Sequence, residues 1–281
     1  MKNLLTLQLR QVPMKEVRYI VDTTLRDGEQ SPGIALSRED KTKIAGLLDD
    51  IGVYEIEAGI PCLGKMESDC IAEISAKAKK AKISVWSRMN PLDIKESLAC
   101  KPHILHIGTP VSYIQIYSKL KKNKTWVQKN ILDCVDIALN QGVEVTVGLE
   151  DASRSDIGFI LGLIRELEKA GVRVVRLADT VGILTPGRAK ELVETIKDYC
   201  NVEIEMHVHN DLGMAVANSI VGARAGAAFI DCTLFGIGER TGNCNFYDFL
   251  HASEAIFQFD MTKNQVKELE AECYGLLKGA M

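Results

Sequence analysis

Short β-rich runs alternate with amphipathic helical runs along nearly the whole chain, and this alternation constrains the fold more than any other feature. The runs that read as strands are Tyr19–Thr24, Val53–Ala58, Lys82–Ser87, His103–Gly108, Val143–Leu149, Val172–Ala178, Val202–Val208 and Phe229–Leu234. Several are almost continuously apolar, as parallel strands covered on both sides by helices must be. Helical patterns fall between them, among them Arg38–Ile51, Lys65–Lys79, Trp126–Asn140, Ile157–Ala170, Pro186–Tyr199 and Met214–Ala225. Gly52, Gly142, Gly171 and Gly226 each stand between a helical run and the next strand, where a left-handed C-cap residue belongs. Ser37, followed by Glu39 and Asp40, reads as an N-cap with acids in the first helical turn. Eight such units predict an α/β fold, a (β/α)₈ TIM barrel over residues 1–260, with one extra C-terminal helix over 261–281. A doubly wound open sheet is the alternative, but no glycine-rich phosphate loop follows the first strand.

Composition narrows the function. Of 281 residues, 46% are hydrophobic, enough for a large core, and the net charge of −4 gives no field that would attract nucleic acid or an anionic membrane. The opening segment MKNLLTLQLRQVPMKEV has no apolar stretch of signal-peptide length, and no later run is long enough to span a bilayer. The expectation is a cytoplasmic protein. Its eight cysteines contain no C-x-x-C pair and read as reduced core residues. The basic run KLKKNK (119–124) reads either as a solvated loop or as a lid for a phosphorylated cofactor.

In such a barrel, polar residues at the C-terminal ends of the strands are the ones that gather. The first strand ends in DTTLRDGEQ, which puts Arg26, Asp27 and Gln30 at the mouth; Asp27 beside Arg26 could by itself be a structural ion pair. The seventh ends in MHVHND. Side chains two apart on a strand share a side, so His207 and His209 face one spot. Two imidazoles and a carboxylate form a mixed N/O site suited to Zn, Mn, Fe or Co. A lone His-x-His is often only core; its place at a strand end, with Asn210 and Asp211 after it to orient the rings, favours a ligand pair. Glu57, Arg88, Glu150, Asp151, Asp179 and Thr180 end other strands, and the eighth is followed by FGIGERTGN with Glu239, Arg240 and Asn243. Polar groups at most strand ends indicate a catalytic constellation.

The motif LRDGEQ with Lys41 beyond it, the motif IEMHVHNDLGMAVA and the loop GIGERTGN resemble the isopropylmalate and homocitrate synthase family. The likeness runs along nearly the whole chain. The stretches IEAGIP, VWSRM, LHIGTPVSYIQIYSKL and LEDASR look most like the homocitrate synthases of nitrogen fixation. This resemblance implies an acyltransferase that condenses acetyl-CoA with 2-oxoglutarate and hydrolyses the thioester to homocitrate and CoA. It implies one divalent metal ion (Mn, Zn, Mg, Fe or Co) held by Asp27, His207 and His209, with Asn243 as a weaker or outer partner. Arg26 then steadies the oxo-acid oxygen, Thr180 binds its carboxylate, and Glu150 stands at the acetyl-CoA side. Gln30 and Glu57 line the pocket, and Arg88 is the candidate for the distal carboxylate.

The full-length synthases continue past the barrel into subdomains that bring a His and a Tyr to the active site, whereas this sequence stops at Met281. One expectation is therefore the catalytic half of a split synthase, in complex with a separate C-terminal subunit or as a homodimer. Condensations of the isopropylmalate or citramalate type are alternatives. So is a barrel-only acyl-CoA lyase, although GERTGN lacks the cysteine-bearing glycine loop of hydroxymethylglutaryl-CoA lyase. A regulatory subunit that kept its motifs is the non-enzymatic alternative.

Overall fold

The computed structural model describes residues 15–277; the sequence readings on residues 1–14 and 278–281 lie outside them. The eight strands β1 (Tyr19–Asp22), β2 (Glu55–Glu57), β3 (Lys82–Arg88), β4 (Ile104–Pro110), β5 (Glu144–Glu150), β6 (Val174–Asp179), β7 (Glu203–Val208) and β8 (Phe229–Cys232) close into a barrel in chain order. Each pairs in parallel with its neighbours, and β8 returns to β1 through Tyr19 opposite Phe229. The fold is the TIM barrel that the eightfold alternation predicts. Eight helices alternate with the strands: α1 (Arg38–Ile51), α2 (Lys65–Lys77), α3 (Pro91–Ala99), α4 (Lys124–Leu139), α5 (Ile157–Ala170), α6 (Pro186–Tyr199), α7 (Ala215–Ala225) and α8 (Phe246–Ser253). A ninth, α9 (Lys263–Leu277), follows the eighth unit and packs on α1 and α8.

Local chemistry sets the helix ends. Ser37 and Asp40 exchange hydrogen bonds in a capping box at α1, and Gly52, Gly171 and Gly226 end α1, α5 and α7 in the left-handed conformation. Helix α4 starts earlier than its apolar pattern, because the Asn123 side chain accepts from the Trp126 amide and caps the turn before it. Residues Ile114–Lys119 form a π-helical turn between β4 and α4 that no periodicity announces.

Two layers result. Residues such as Ile107, Val147, Leu149, Leu177 and Val208 point outward into the apolar core under the helices. The alternate residues point into the barrel, and from mid-height upward many are polar: Glu55, Glu57, His106, Arg176, Glu205, His207 and Asp231 are all buried. Tyr19, Tyr54 and Phe229 gather at the N-terminal ends of β1, β2 and β8, with ring centroids 4.8–5.3 Å apart. The polar interior therefore lies towards the C-terminal mouth. No helix among the described residues is long and apolar enough to cross a membrane.

Candidate metal centre and substrate pocket

Asp27 follows β1 in a turn whose amides at 26, 27 and 28 all bond to the Thr23 carbonyl, which aims the carboxylate over the barrel axis. His207 lies on β7 and His209 just beyond it. Candidate donor atoms of Asp27, His207 and His209 lie within 4.8 Å of one another, and all three residues are buried. Asp27 Oδ2 is 3.0 Å from His207 Nε2 and 3.5 Å from His209 Nε2. Asp27 Oδ1, His209 Nε2 and Asn243 Oδ1 are buried without a hydrogen-bond partner in the described structure. Orphaned donors of this kind, converging from three loops, fit a divalent cation. Burial would raise the Asp27 pKa, but Arg26 and the two histidines hold it well below the usual carboxylate range, so it is present as an anion.

The imidazoles are aimed from elsewhere than the sequence suggests. His207 Nδ1 is 2.7 Å from Asp231 Oδ2 on β8, and His209 Nδ1 is 3.1 Å from the Asp179 carbonyl at the end of β6. The expectation that Asn210 and Asp211 orient the rings is corrected. Past the strand end the chain turns away, so the Asn210 side chain accepts from the Ala215 amide at the start of α7, and Asp211 pairs with Arg240. Arg240 also donates to the Thr180 carbonyl and so ties the loops after β6, β7 and β8 together. Asn243 is held by its amide group donating to the Ile237 carbonyl at 3.0 Å. A Cβ on Gly238 would stand 2.1 Å from that Asn243 nitrogen, which requires glycine in the GIGERTGN loop.

A pocket of about 210 Å³ opens above these residues. Arg26, Asp27, Gln30, Glu150, Thr180, His207, His209 and Glu239 line it, with Trp86, His106, Gly108, Gly148, Arg176 and Ala178. Thr180 Oγ1 accepts from the Asp151 amide at 2.8 Å. Glu150 is raised by burial, an effect that Lys119 and Arg26 partly offset. Glu57 lies beneath the pocket and fully buried, bridging Arg26 and Arg176. Arg88 is not brought to the group: its side chain is 63% exposed, paired with Asp93 and close to Cys62.

Below the pocket lies a charged cluster that sequence reasoning missed. Arg176, 2% exposed, contacts Glu205 at 2.7 Å, Asp231 at 3.3 Å and Glu57 at 2.5 Å; the last pair touches without the alignment of a hydrogen bond. Burial opposes the charge on Arg176, but Asp231, Glu205 and Glu57 together hold its pKa well above normal. Against burial, Arg176 and Arg26 hold Glu57 well below the usual carboxylate range. Burial dominates at the other two acids, raising Glu205 far above its ordinary value and Asp231 to about 6. The clue in the sequence was a charge in mid-strand, in VVRLAD, IEMHVH and FIDC. Nothing local showed that these charges meet. His106, on the pocket wall, is held neutral by burial and by Arg176.

A family model described as HMGL-like matches residues 18–268. The chain is 48% identical over 237 residues to homocitrate synthase subunit alpha of Clostridium pasteurianum, covering 84% of this chain and 88% of that one. It is 42% identical to 2-isopropylmalate synthase 2 of Caldanaerobacter subterraneus subsp. tengcongensis, covering 86% of this chain but 63% of that relative's length. Among solved structures, hydroxymethylglutaryl-CoA lyase from Pseudomonas aeruginosa superposes with a TM-score of 0.81 over 94% of both chains at 19% identity, a likeness of fold alone.

Proposed function

The chain belongs to the HMGL-like family, and on that premise we propose that it is an acyltransferase that joins the acetyl group of acetyl-CoA to a 2-oxo acid in a metal-dependent Claisen-type condensation. The acceptor is 2-oxoglutarate and the product, after thioester hydrolysis, homocitrate and CoA. One observation carries the reading: Asp27, His207 and His209 converge on one point in the pocket that also presents Arg26 and Thr180.

A divalent metal bound there would supply Lewis-acid polarisation of the oxo group. The protein supplies the rest. Arg26 Nη1 stands 3.3 Å from Asp27 Oδ2 and provides fixed positive charge where the oxo oxygen gains negative charge as the new C–C bond forms. Because Thr180 Oγ1 already accepts a backbone hydrogen bond, its own proton is left for the acceptor's carboxylate. Glu150 lines the wall beside Thr180, and its pKa, raised by burial, suits a group that exchanges a proton with the acetyl methyl. The missing side chains at Gly108 and Gly148 let His106, Trp86 and Glu150 pack back against the strands, so that the pocket stays open for an extended acceptor above them. The 42% identity to an isopropylmalate synthase favours, as a second reading, a branched or shorter acceptor in the same place.

We further propose that the chain acts as the catalytic subunit beside a separate one. It matches 88% of a relative named as an alpha subunit, whereas it spans 63% and 57% of two relatives not so named, the latter a homocitrate synthase of Frankia. The test is thiol release from acetyl-CoA across a panel of 2-oxo acids, with the chain alone and with a candidate second subunit. The expected result is selective turnover with 2-oxoglutarate, weak until the second chain is added. Robust turnover by the lone chain would sink the split arrangement, and preference for a branched acid would replace the acceptor.

A further inference from the structure

The chemistry at the mouth gives no role to α9, yet this helix reaches the loop that carries Asn243. Its buried face, Val266, Leu269, Cys273 and Leu277, seats it against α1 and α8. Glu270 and Tyr274, one turn apart on the same side of the helix, both meet Phe235 in the loop after β8. Glu270 Oε1 accepts from the Phe235 amide at 2.7 Å, and the rings of Tyr274 and Phe235 meet edge to face with centroids 6.1 Å apart. With φ 58° and ψ 7°, Phe235 is left-handed, a conformation that a bulky residue keeps only where its surroundings impose it. The turn leads into Gly236, whose carbonyl accepts from the Asn243 amide at 3.0 Å. The two arms of the loop come so close here that a Cβ on Gly242 would stand 2.0 Å from the Gly236 oxygen. On its other side Asn243 pairs with His209 in a short antiparallel bridge, and its own Oδ1 is buried without a hydrogen-bond partner in the described structure. A continuous line of contacts thus runs from α9 through Phe235 and Gly236 to a donor at the metal centre.

We propose that Glu270 is a positioning residue for the metal centre: by holding the Phe235 amide it fixes the left-handed turn that brings Asn243 Oδ1 to the site. Without that acceptor the turn loses a contact that imposes its conformation and relaxes towards ordinary backbone. The Gly236 carbonyl then shifts, and Asn243 shifts with it, although neither residue touches α9. The effect on the metal therefore passes through Asn243 and not through the barrel as a whole. The inference rests on the metal-site reading above.

A double-mutant cycle on the full chain tests it, with Zn²⁺ affinity read by competition with a chromophoric chelator. The proteins are wild type, Glu270→Ala, Glu270→Gln, Asn243→Ala and Glu270→Ala/Asn243→Ala. Glu270 is half-buried on a helix and alanine favours helix, so the fold should persist, which circular dichroism of the metal-free proteins checks. The expected result is that Glu270→Ala binds Zn²⁺ roughly tenfold more weakly than wild type, and that Glu270→Gln, which keeps an oxygen acceptor, stays within about twofold of it. Once Asn243 is alanine, Glu270→Ala should cost less than about a further twofold. Affinity of Glu270→Ala within about twofold of wild type, an equal loss in both backgrounds, or a loss in Glu270→Gln as large as in Glu270→Ala would each overturn the positioning role and leave the metal site standing. No binding of Zn²⁺ by wild type would overturn both.

Discussion

His207 makes two contacts that fix its ring: Nε2 faces Asp27 and Nδ1 faces Asp231. A histidine whose second nitrogen is held by a carboxylate is locked in one tautomer and one orientation, and such outer partners are worth 10–100-fold in metal affinity. Asp231→Asn should therefore weaken metal binding by about that factor with the fold retained, as measured by competition with a chromophoric chelator. Unchanged affinity would assign Asp231 to balancing Arg176 alone. Asp27→Ala and His207→Ala should abolish metal binding outright with the barrel still folded, because each removes a donor at the polar mouth and leaves the apolar core under the helices untouched, although Asp27→Ala also forfeits the stabilisation of the Arg26 pair. Elemental analysis of the purified variants checks this, and full metal content in both would refute the site.

Barrel strands β4 and β5 shape the pocket as much by what they lack as by what they carry. A Cβ at Gly148 would lie 2.4 Å from His106 Nε2, and one at Gly108 would lie 2.8 Å from Trp86 and 2.9 Å from a Glu150 oxygen. Gly148→Ala should push the His106 ring into the acceptor space while leaving the barrel hydrogen bonds intact. The expected outcome is a KM for the 2-oxo acid raised by about tenfold, equivalent to about 1.4 kcal/mol, with the KM for acetyl-CoA little changed. Steady-state kinetics decides, and equal rises in both constants would mean a general distortion. These strands also show what a sequence discloses. Strands, caps and mouth residues were legible because their signals are local: a period of two, a Ser37–Asp40 capping pair, a glycine at a helix end, a His-x-His on one strand. The cluster of Glu57, Arg176, Glu205 and Asp231 was not, because it exists only once β2, β6, β7 and β8 surround a common axis. Arg88 misled for the same reason in reverse. Its strand-end position was legible, but nothing local revealed that Asp93, one turn into α3, would draw it outward.

At the scale of the whole barrel, acids are buried in two opposed electrostatic settings, and the balance between them shapes stability against pH. Glu57 and Asp27 face arginines and are depressed, so they stabilise the fold at neutral pH and lose that contribution only as pH falls through their folded values, well into the acid range. Glu55 and Asp22 are the reverse. Burial, reinforced by Glu205, raises Glu55 from 4.5 to about 8, and burial raises Asp22 from 3.8 to about 7. An acid with a raised folded pKa binds more protons folded than unfolded. Its neutral form is accommodated at low pH, and stability declines as pH rises from the unfolded value towards the folded one. The metal-free barrel should therefore be most stable in mild acid and weaken from about pH 5 to pH 8. Glu55→Gln keeps the shape of the side chain and removes its titration. It should leave the melting temperature at pH 5 nearly unchanged and flatten the decline above it, a gain of a few kcal/mol at pH 8.5 given about 1.4 kcal/mol per pKa unit. Thermal unfolding of wild type and variant across that range, with a chelator present throughout, gives the answer. Parallel curves would show that Glu55 ionises on folding as readily as in the unfolded chain, and the source of any alkaline decline would then have to be sought at Asp22.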